Sequence, residues 1–320
     1  MDKTRAAKIG IEQKDKKVSK PEELKIFNAS ELQSDLPFLS ELYPGGFDTL
    51  QTSECEVNIS LLIVVHSAMP HSKQRQAIRE SWGASTALPS QVRLVFLVAK
   101  GANGETAADT HIGDVISANF IDSYRNLTLK SVAMLDWVTQ NCPNIQFLLK
   151  CDDDVFVNIH NLLTELNLIN YQSDAIIGKI ASGWKPIRNE ASKYFMSVAE
   201  FAPSILPNFT TGPAYIITGP LVPSLFEAAL AEHWLTLEDV FITGLVGGFR
   251  LNVELINWPM VLNSRATLTV CNAHRLFSIH NVRPKEQARL LRLSKLSQVS
   301  CKIREERQEK AKLKQIEKHK

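Results

Sequence analysis

The stretch Phe147-Leu-Leu-Lys-Cys-Asp-Asp-Asp-Val-Phe-Val-Asn158 joins a short apolar run to three adjacent carboxylates. Three neighbouring negative charges repel one another, and a bound cation would relieve that repulsion. Alternation along an extended chain directs Asp152 and Asp154 to one side and Asp153 to the other. We therefore expect the first and third carboxylates to face a divalent ion and its diphosphate. The alternative is an acidic turn that caps the helix starting near Asn158.

Short apolar runs rich in β-branched residues surround this stretch and alternate with helical patterns. The predicted strands are Val57–Val65, Val92–Val98, Ile145–Lys150, Ala175–Ile180, Ala214–Thr218 and Asn252–Ile256. The predicted helices are Lys73–Trp82, Thr106–Ser117, Leu127–Gln140, Pro220–Glu232 and Leu237–Val246. This order predicts an α/β fold, a mostly parallel sheet covered by helices. Ligands of such sheets bind beyond the carboxyl ends of the strands, so chemistry is expected just after Val65 and Leu149.

Composition excludes several classes of protein. The chain has 320 residues and is 44% hydrophobic, which is enough for a sizeable core and excludes disorder throughout, collagen and a disulfide miniprotein. A net charge of +2 gives no overall field that would draw the chain onto nucleic acid. The run Ile59–Val65 is too short to span a membrane, and Met1–Lys8 lead into charge rather than into a signal peptide. Taken literally, these features predict a cytosolic protein.

Three regions differ in composition along the chain. Residues 1–54 are polar and rich in Lys and Glu, which predicts a stem or a loosely ordered lead-in. Residues 55–285 carry the alternating strand and helix patterns and form the predicted folded domain. Residues 286–320 predict a basic helical tail, either a solvated helix or one that lies on a membrane or on nucleic acid.

Three basic residues are candidates for binding a phosphate. Arg75 and Arg79 are four residues apart on a predicted helix and therefore share one face just after the first strand. Such a pair could hold a phosphate, pair with the acidic triplet, or face solvent beside Glu80. Lys150, two residues before Asp152, is a further candidate, although it could also just lie at the edge of its strand.

A second acidic pair and a histidine complete the candidate chemistry. Glu238 and Asp239 precede a hydrophobic run, where the helix dipole alone would favour two carboxylates. The functional interpretation makes Asp239 a general base that lies near a metal without coordinating it. His280 ends another short apolar run, and it is either a metal ligand or a histidine satisfied by its own surroundings.

Six segments in this order resemble the β1,3-galactosyltransferase family, glycosyltransferase family 31. This family also holds β1,3-N-acetylglucosaminyltransferases and, more distantly, Fringe. The resemblance runs from about Cys55 to Pro284. The segments that carry it are Arg75–Gly83, Asp122–Lys130, Lys150–Asn158, Lys185–Arg188, Gly212–Tyr215 and Glu238–Val240.

The resemblance implies a glycosyltransferase A fold, which is Rossmann-like, with residues 55–285 as the catalytic domain. It also implies a UDP-sugar donor, Mn²⁺ and inversion at the anomeric carbon. Asp154 and His280 then resemble the metal ligands and Asp239 the base. The donor side would include Arg75, Arg79, Lys150, Asp152 and Asp153. The sugar and acceptor cleft would include Trp184, Lys185, Tyr215 and Glu238.

The expected activity is metal-dependent, inverting transfer of galactose, or of N-acetylglucosamine, to a glycan hydroxyl in β1,3 linkage. The acceptor would be a glycoprotein or a glycolipid. Relatives often have Tyr-x-x-Gly-Gly-Gly-Tyr where this chain has Phe209-Thr-Thr-Gly-Pro-Ala-Tyr215. Because Pro213 fixes its own φ and lacks an N–H, a catalytically silent, carbohydrate-binding or chaperone-like relative is an alternative. A Mg²⁺-dependent phosphatase with an aspartate nucleophile at Asp152 is another.

Localisation follows from the same resemblance, which implies the Golgi lumen or the Golgi membrane. The membrane would be reached through an N-terminal anchor that is not evident here, so a cytosolic form stays open. Glycosylation acceptors occur at Asn28, Asn58, Asn126 and Asn208. The cysteines lack the CxxC spacing of zinc sites. Cys55 and Cys142 precede two strands expected to be neighbours and form a plausible disulfide, whereas Leu245 stands where many relatives have a cysteine for Cys271.

Overall fold

The computed structural model describes residues 36–47, 55, 59–269, 273 and 275–296. The strands are β1 Leu61–His66, β2 Val92–Lys100, β3 Val115–Ile121, β4 Phe147–Asp152, β5 Phe156–Val157, β6 Ala175–Ala181, β7 Phe209–Thr218, β8 Glu254–Asn257, β9 Val261–Leu262 and β10 Ser278–Ile279. The α-helices are α1 Leu39–Leu42, α2 Ser72–Arg79, α3 Leu127–Asn141, α4 Ile159–Leu166 and α5 Val222–Leu230. A π-helix spans Val240–Arg250, and a further helix is described over residues 284–296.

Seven strands form the central sheet in the order β3-β2-β1-β4-β7-β6-β8. Strand β7 runs antiparallel to both β4 and β6, and the other paired neighbours are parallel. A smaller sheet has the order β5-β10-β9. The predicted α/β class, a mostly parallel sheet covered by helices, is therefore confirmed.

Strand β1 shows why these sequences fold as central strands, because all six of its residues are buried. Leu62 and Val64 pack on one side of the sheet in a core shared with α3, α5 and the π-helix. Leu61, Ile63 and Val65 pack on the other side in a core shared with α2 and α4. Side chains on both faces of β1 are thus buried, so apolar residues occupy every position from Leu61 to Val65 rather than every second one.

One predicted element is wrong. The helix expected at Thr106–Ser117 is replaced by a single 3₁₀ turn at Thr110–Ile112 and then by β3. Gly113 has a φ of 89°, a conformation that ends a helical turn and that glycine adopts without strain. The β-branched residues after it pair with β2. Predicted helix Leu237–Val246 is helical but begins later, as the π-helix.

A disulfide joins Cys55 to Cys142, with their Cα atoms 5.2 Å apart, as predicted. Cys151 is a free, buried cysteine. Across residues 36–47, 59–269 and 275–296, no helix combines the length and the apolar character needed to cross a membrane. The predicted lead-in before residue 36, the tail after residue 296, and Asn28, Asn58 and Cys271 lie outside the described residues.

The carboxyl ends of β1 and β4 lie side by side at the centre of the sheet. His66, the last residue of β1, is in register with Asp152, the last residue of β4. Strand β2 lies on one side of β1 and β4 on the other, so the direction in which successive strands are added to the sheet reverses here. This is where an open α/β sheet forms a crevice for a ligand.

Candidate active site

The acidic triplet divides as predicted, with Asp152 and Asp154 on one side and Asp153 on the other, although β4 ends at Asp152 and a turn carries Asp153 and Asp154. Asp152, Asp154 and His280 each offer a ligand atom, and these atoms lie within 4.8 Å of one another. Asp154 Oδ1 is 3.2 Å from His280 Nε2. The other ring nitrogen, Nδ1, lies 3.0 Å from the Asn263 carbonyl oxygen, which leaves Nε2 for a metal when Nδ1 carries the proton. Two carboxylates and an imidazole therefore converge in a set that a divalent cation can use.

The charges in this cluster perturb each other's titration. Burial lowers the pKa of His280, but hydrogen bonds to Asp154 and to the Asn263 carbonyl raise it more, so the net pKa is above its usual value. Burial raises the pKa of Asp152, although the Lys150 ammonium opposes that rise.

Asp153 faces the other way and ties β4 to the segment after β1. Its Oδ2 accepts a hydrogen bond from Ser67 Oγ at 2.6 Å and lies 2.9 Å from His71 Nδ1. The Ser67 carbonyl in turn accepts from Lys130 Nζ at 2.9 Å. The sequence analysis missed Ser67, His71 and Lys130 as individual residues. Ser67 could have been found from its position in the sequence, because it immediately follows a central strand.

Arg75 is completely buried, with an exposed fraction of 0%. Its Nε and Nη2 donate to the two carboxylate oxygens of Asp109 at 2.8 and 2.5 Å. Its Nη1 donates to Ser67 Oγ and the Ala68 carbonyl, and Nη2 also donates to the Met69 carbonyl. All five N–H groups therefore have protein partners, and Arg75 reaches the acidic triplet only through Ser67.

Arg79 is neutralised in the same way. It makes a two-pronged ion pair with Asp114, at 2.7 and 2.6 Å, and a third hydrogen bond to Asp109 at 2.9 Å. Burial raises the pKa of Asp109, but the two guanidinium groups lower it more, to about 2. Of the three alternatives for Arg75 and Arg79, pairing with the acidic triplet is excluded by this geometry, because their carboxylate partners are Asp109 and Asp114.

Lys150 joins the two acidic groups that the sequence analysis singled out. Its buried Nζ lies 2.7 Å from Asp152 Oδ1 and 2.8 Å from Glu238 Oε1, and it donates to the Gly212 carbonyl at 2.7 Å. Burial lowers the pKa of Lys150, but Asp152 and Glu238 raise it well above its usual value. Lys150 therefore links the triplet to the Glu238–Asp239 pair.

The Glu238–Asp239 pair stands at the start of the π-helix. Asp239 Oδ2 accepts from the Gly212 N–H at 2.8 Å and Oδ1 accepts from the Val240 N–H at 2.9 Å, so the carboxylate has a fixed orientation. The Asp239 side chain is half-buried, and burial raises its pKa. Burial also raises the pKa of Glu238 to about 7, against the opposing charge of Lys150.

A bulge in β7 brings Gly212 to these groups. Lys179 of β6 lies opposite four residues of β7, 211–214, so the surplus residues leave the ladder. A Cβ on Gly212 would lie 3.2 Å from Asp239 Oδ2, which is tighter than ordinary packing. Pro213 lies in the bulge, and the N–H and C=O of Gly212 still reach Asp239 and Lys150.

The chain matches a known protein family over the region that carries most of these residues. Residues 73–257 match the family described as galactosyltransferase, which is more than half of the chain. The chain belongs to the galactosyltransferase family. The matched range contains the acidic triplet, Lys150 and the Glu238–Asp239 pair, and His280 lies beyond it.

Relatives in this family carry several different sugar specificities in their names. The chain is 31% identical over 259 residues to N-acetyllactosaminide beta-1,3-N-acetylglucosaminyltransferase 2 of Mus musculus, covering 74% of this chain and 63% of the relative. It is 31% identical over 254 residues to beta-1,3-galactosyltransferase 5 of Pan paniscus, covering 75% of this chain and 83% of the relative.

Among solved structures, the galactosyltransferase LgtC in complex with donor and acceptor sugar analogs is similar to this chain. The similarity covers 74% of this chain and 95% of the LgtC chain. The identity is 13% and the TM-score 0.40.

The residues predicted to line the sugar and acceptor cleft of this galactosyltransferase-family chain differ in exposure. Trp184 and Lys185 are exposed, and Trp184 packs edge-on against Phe209 with ring centroids 5.7 Å apart. Tyr215, by contrast, is 1% exposed, and its hydroxyl lies 3.2 Å from Glu238 Oε2. Tyr215 is therefore a buried hydrogen-bond partner of Glu238.

The two described glycosylation acceptors differ in exposure. The Asn208 side chain is exposed just before β7, and its Oδ1 accepts from Ser182 Oγ at 2.7 Å. The Asn126 side chain is half-buried, and its Nδ2 donates to the Ile121 carbonyl at 2.8 Å. Asn208 is the more accessible of the two.

Proposed function

We propose that this chain transfers a hexose from a UDP-sugar to a glycan hydroxyl in β1,3 linkage, with inversion at the anomeric carbon. Galactose is the first candidate donor sugar and N-acetylglucosamine the second, in line with the names of its relatives. The observation that carries the proposal is the Lys150 bridge. It links Asp152 of the candidate metal site to Glu238 and, through Gly212, to the candidate base Asp239, which supports transfer between a diphosphate and a hydroxyl.

The family resemblance implies Mn²⁺, and the residues present fit such an ion. Asp154 and His280 would hold it with Asp152 close by, since their ligand atoms converge. Bound there, the cation would stabilise the negative charge that develops on the UDP diphosphate as the sugar leaves. Asp153, through Ser67 and His71, fixes the backbone that presents Asp152 and Asp154.

Asp239 is the proposed general base. Two backbone N–H groups fix its carboxylate, while lone pairs remain to accept the proton of an acceptor hydroxyl. Burial raises its pKa, which makes the carboxylate a stronger base than one in water. Attack by that hydroxyl in a single displacement inverts the anomeric carbon. Trp184 and Lys185, exposed on the segment after β6, are proposed to line the acceptor side.

The proposed compartment is the Golgi lumen, with a glycoprotein or glycolipid as acceptor. The Cys55–Cys142 disulfide supports an oxidising compartment, because such bonds are rare in the cytosol. The exposed Asn208 acceptor is proposed to carry a glycan there. A mobility shift after glycosidase treatment of cell-made protein, smaller in Asn208→Gln than in the wild type, is the expected result.

Release of UDP from UDP-galactose and UDP-N-acetylglucosamine in the presence of Mn²⁺ tests the function, with mass analysis of the product. We expect turnover by the wild type, none by Asp154→Ala, and a loss of about 10² to 10⁴-fold in Asp239→Asn. Asp174→Asn, at an exposed acid, is the matched control. Full activity in Asp154→Ala or Asp239→Asn would contradict the roles assigned. Glycan binding without turnover by the wild type would instead favour a catalytically silent relative.

A further inference from the structure

Two exposed tyrosines meet on segments that follow β3 and β6, two strands that lie far apart in the sheet. Tyr124 is 43% exposed and begins the 3₁₀ turn that follows β3, an edge strand. Tyr194 is 44% exposed and lies in the segment 182–208 that follows β6. Their ring centroids are 6.5 Å apart, with an interplanar angle of 71°.

The sheet order shows what lies beneath this contact. Five strand spacings separate β3 from β6, which is about 24 Å at the usual distance between neighbouring strands. The carboxyl ends of β1 and β4, which carry the candidate site, lie between them. Segments that leave β3 and β6 and then touch must therefore cross this edge of the sheet.

The electrostatics of Tyr124 agree with this position. Burial raises the pKa of Tyr124, and the charges of Asp239, Asp152 and Glu238 raise it further. These three carboxylates belong to the two acidic groups that Lys150 joins. The Tyr124 ring is therefore within electrostatic range of the proposed base.

The rings are held in place without being covered. Lys193 Nζ lies 5.7 Å from the Tyr124 ring centroid and 4.7 Å from that of Tyr194. Arg188 fixes the segment that carries Tyr194 by donating to four backbone carbonyls, those of Met196, Ser197, Phe201 and Pro203. Ordering this surface in advance lowers the entropic cost of binding a ligand on it.

We propose that Tyr124 and Tyr194 form an acceptor platform, on which the apolar face of a pyranose ring of the acceptor glycan packs while its hydroxyl reaches Asp239. This inference rests on the proposed function and names the surface that takes the acceptor. Exposed aromatic rings offer apolar area to the C–H face of a sugar, and their hydroxyls can bond the sugar's polar rim. Lys193 braces both rings.

Steady-state kinetics with methyl N-acetyllactosaminide and methyl N-acetylglucosaminide as acceptors test the platform. We expect Tyr124→Ala and Tyr194→Ala each to raise the acceptor KM by about 3- to 10-fold. The donor KM and the slow hydrolysis of UDP-sugar without acceptor should not change. Tyr124→Phe and Tyr194→Phe should keep most of the wild-type acceptor KM, since the ring remains.

Phe249→Ala is the matched control, because it also removes an aromatic ring with a cation over it, Arg250 at 5.5 Å, at the far end of the π-helix. An unchanged acceptor KM in both alanine variants would overturn the platform and leave the proposed function intact. A wild type without donor turnover would overturn the proposed function. Saturation-transfer NMR with the same methyl glycosides then tests the platform alone, and equal signals from wild type and both alanine variants would overturn it.

Discussion

Two charged regions of this molecule look alike in sequence but differ in how their charges are balanced. On α2, two guanidinium groups meet two carboxylates, Asp109 and Asp114, and every N–H of Arg75 is used. At the end of β4, Asp152 and Glu238 share the Lys150 ammonium, and Asp154 pairs with His280. The first region neutralises itself, whereas the second keeps unneutralised negative charge. A charged motif therefore favours a ligand site when its carboxylates outnumber the cations that pair with them.

The largest effect is expected from breaking the balanced region. Arg75→Met should lower the free energy of unfolding by about 3–5 kcal/mol, because Asp109 would stay buried without its main partner. Urea denaturation at neutral pH measures this. Arg289→Met, at an exposed arginine, should change stability by less than about 0.5 kcal/mol. A loss below about 1 kcal/mol in Arg75→Met would show that the buried pair is not what holds α2.

The unbalanced region should instead reveal itself through pH. Glu238 has a pKa raised from 4.5 to about 7, so the folded protein binds a proton that the unfolded chain releases. Its contribution to stability is present below pH 4.5 and is lost as the pH rises through 7, by roughly 3 kcal/mol in total. Asp152 and Asp239, with raised pKa values, act in the same direction.

Glu238→Gln tests this assignment, because it keeps the shape and removes the titration. Urea denaturation at pH 5 and pH 8 with a chelator present should show a smaller loss of stability in the variant than in the wild type. Glu165→Gln, at an exposed helical position, is the control and should keep the wild-type difference. Equal losses in wild type and Glu238→Gln would place the titrating group elsewhere.

A divalent cation should stabilise the acidic region at the end of β4 and should have no effect through the charged residues of α2. Mn²⁺ at about 100 times its dissociation constant should add about 2.7 kcal/mol, or roughly 5–10 °C in Tm. Asp154→Ala and His280→Ala should abolish the shift, since each removes a ligand atom of the converging set. Arg79→Lys should retain it although its own Tm is lower. A full shift in Asp154→Ala would mean that the ion binds outside this cluster.

Sequence patterns predict most of the central fold because its signals are local. The all-buried run of β1 follows from the geometry of a single extended segment, whereas the division of Asp152, Asp153 and Asp154 arises in the turn that follows β4. The helix expected at Thr106–Ser117 fails because β3 gains its stability from pairing with β2, a contact that periodicity within one segment does not show.

The partners of the charged residues could not be predicted in this way. Asp109 lies 34 residues from Arg75 in sequence, and Glu238 lies far beyond Lys150, so only the assembled sheet brings each pair together. His280 reaches Asp154 because the small sheet β5-β10-β9 positions it. The family resemblance supplied that assignment, since a lone histidine after an apolar run carries no ligand signal of its own.

The smallest expected effect concerns the bulge that links the two acidic groups. Gly212→Ala would place a Cβ 3.2 Å from Asp239 Oδ2, so the carboxylate must shift by a few tenths of an ångström. We expect kcat to fall by about 3- to 10-fold, because a base displaced from its working geometry loses rate steeply, while stability changes by less than about 1 kcal/mol. Gly178→Ala is the matched control, since its Cβ would meet the Thr210 Cβ at the same 3.2 Å. If both variants lose activity equally, strain in the strands explains the effect; a loss confined to Gly212→Ala ties it to Asp239.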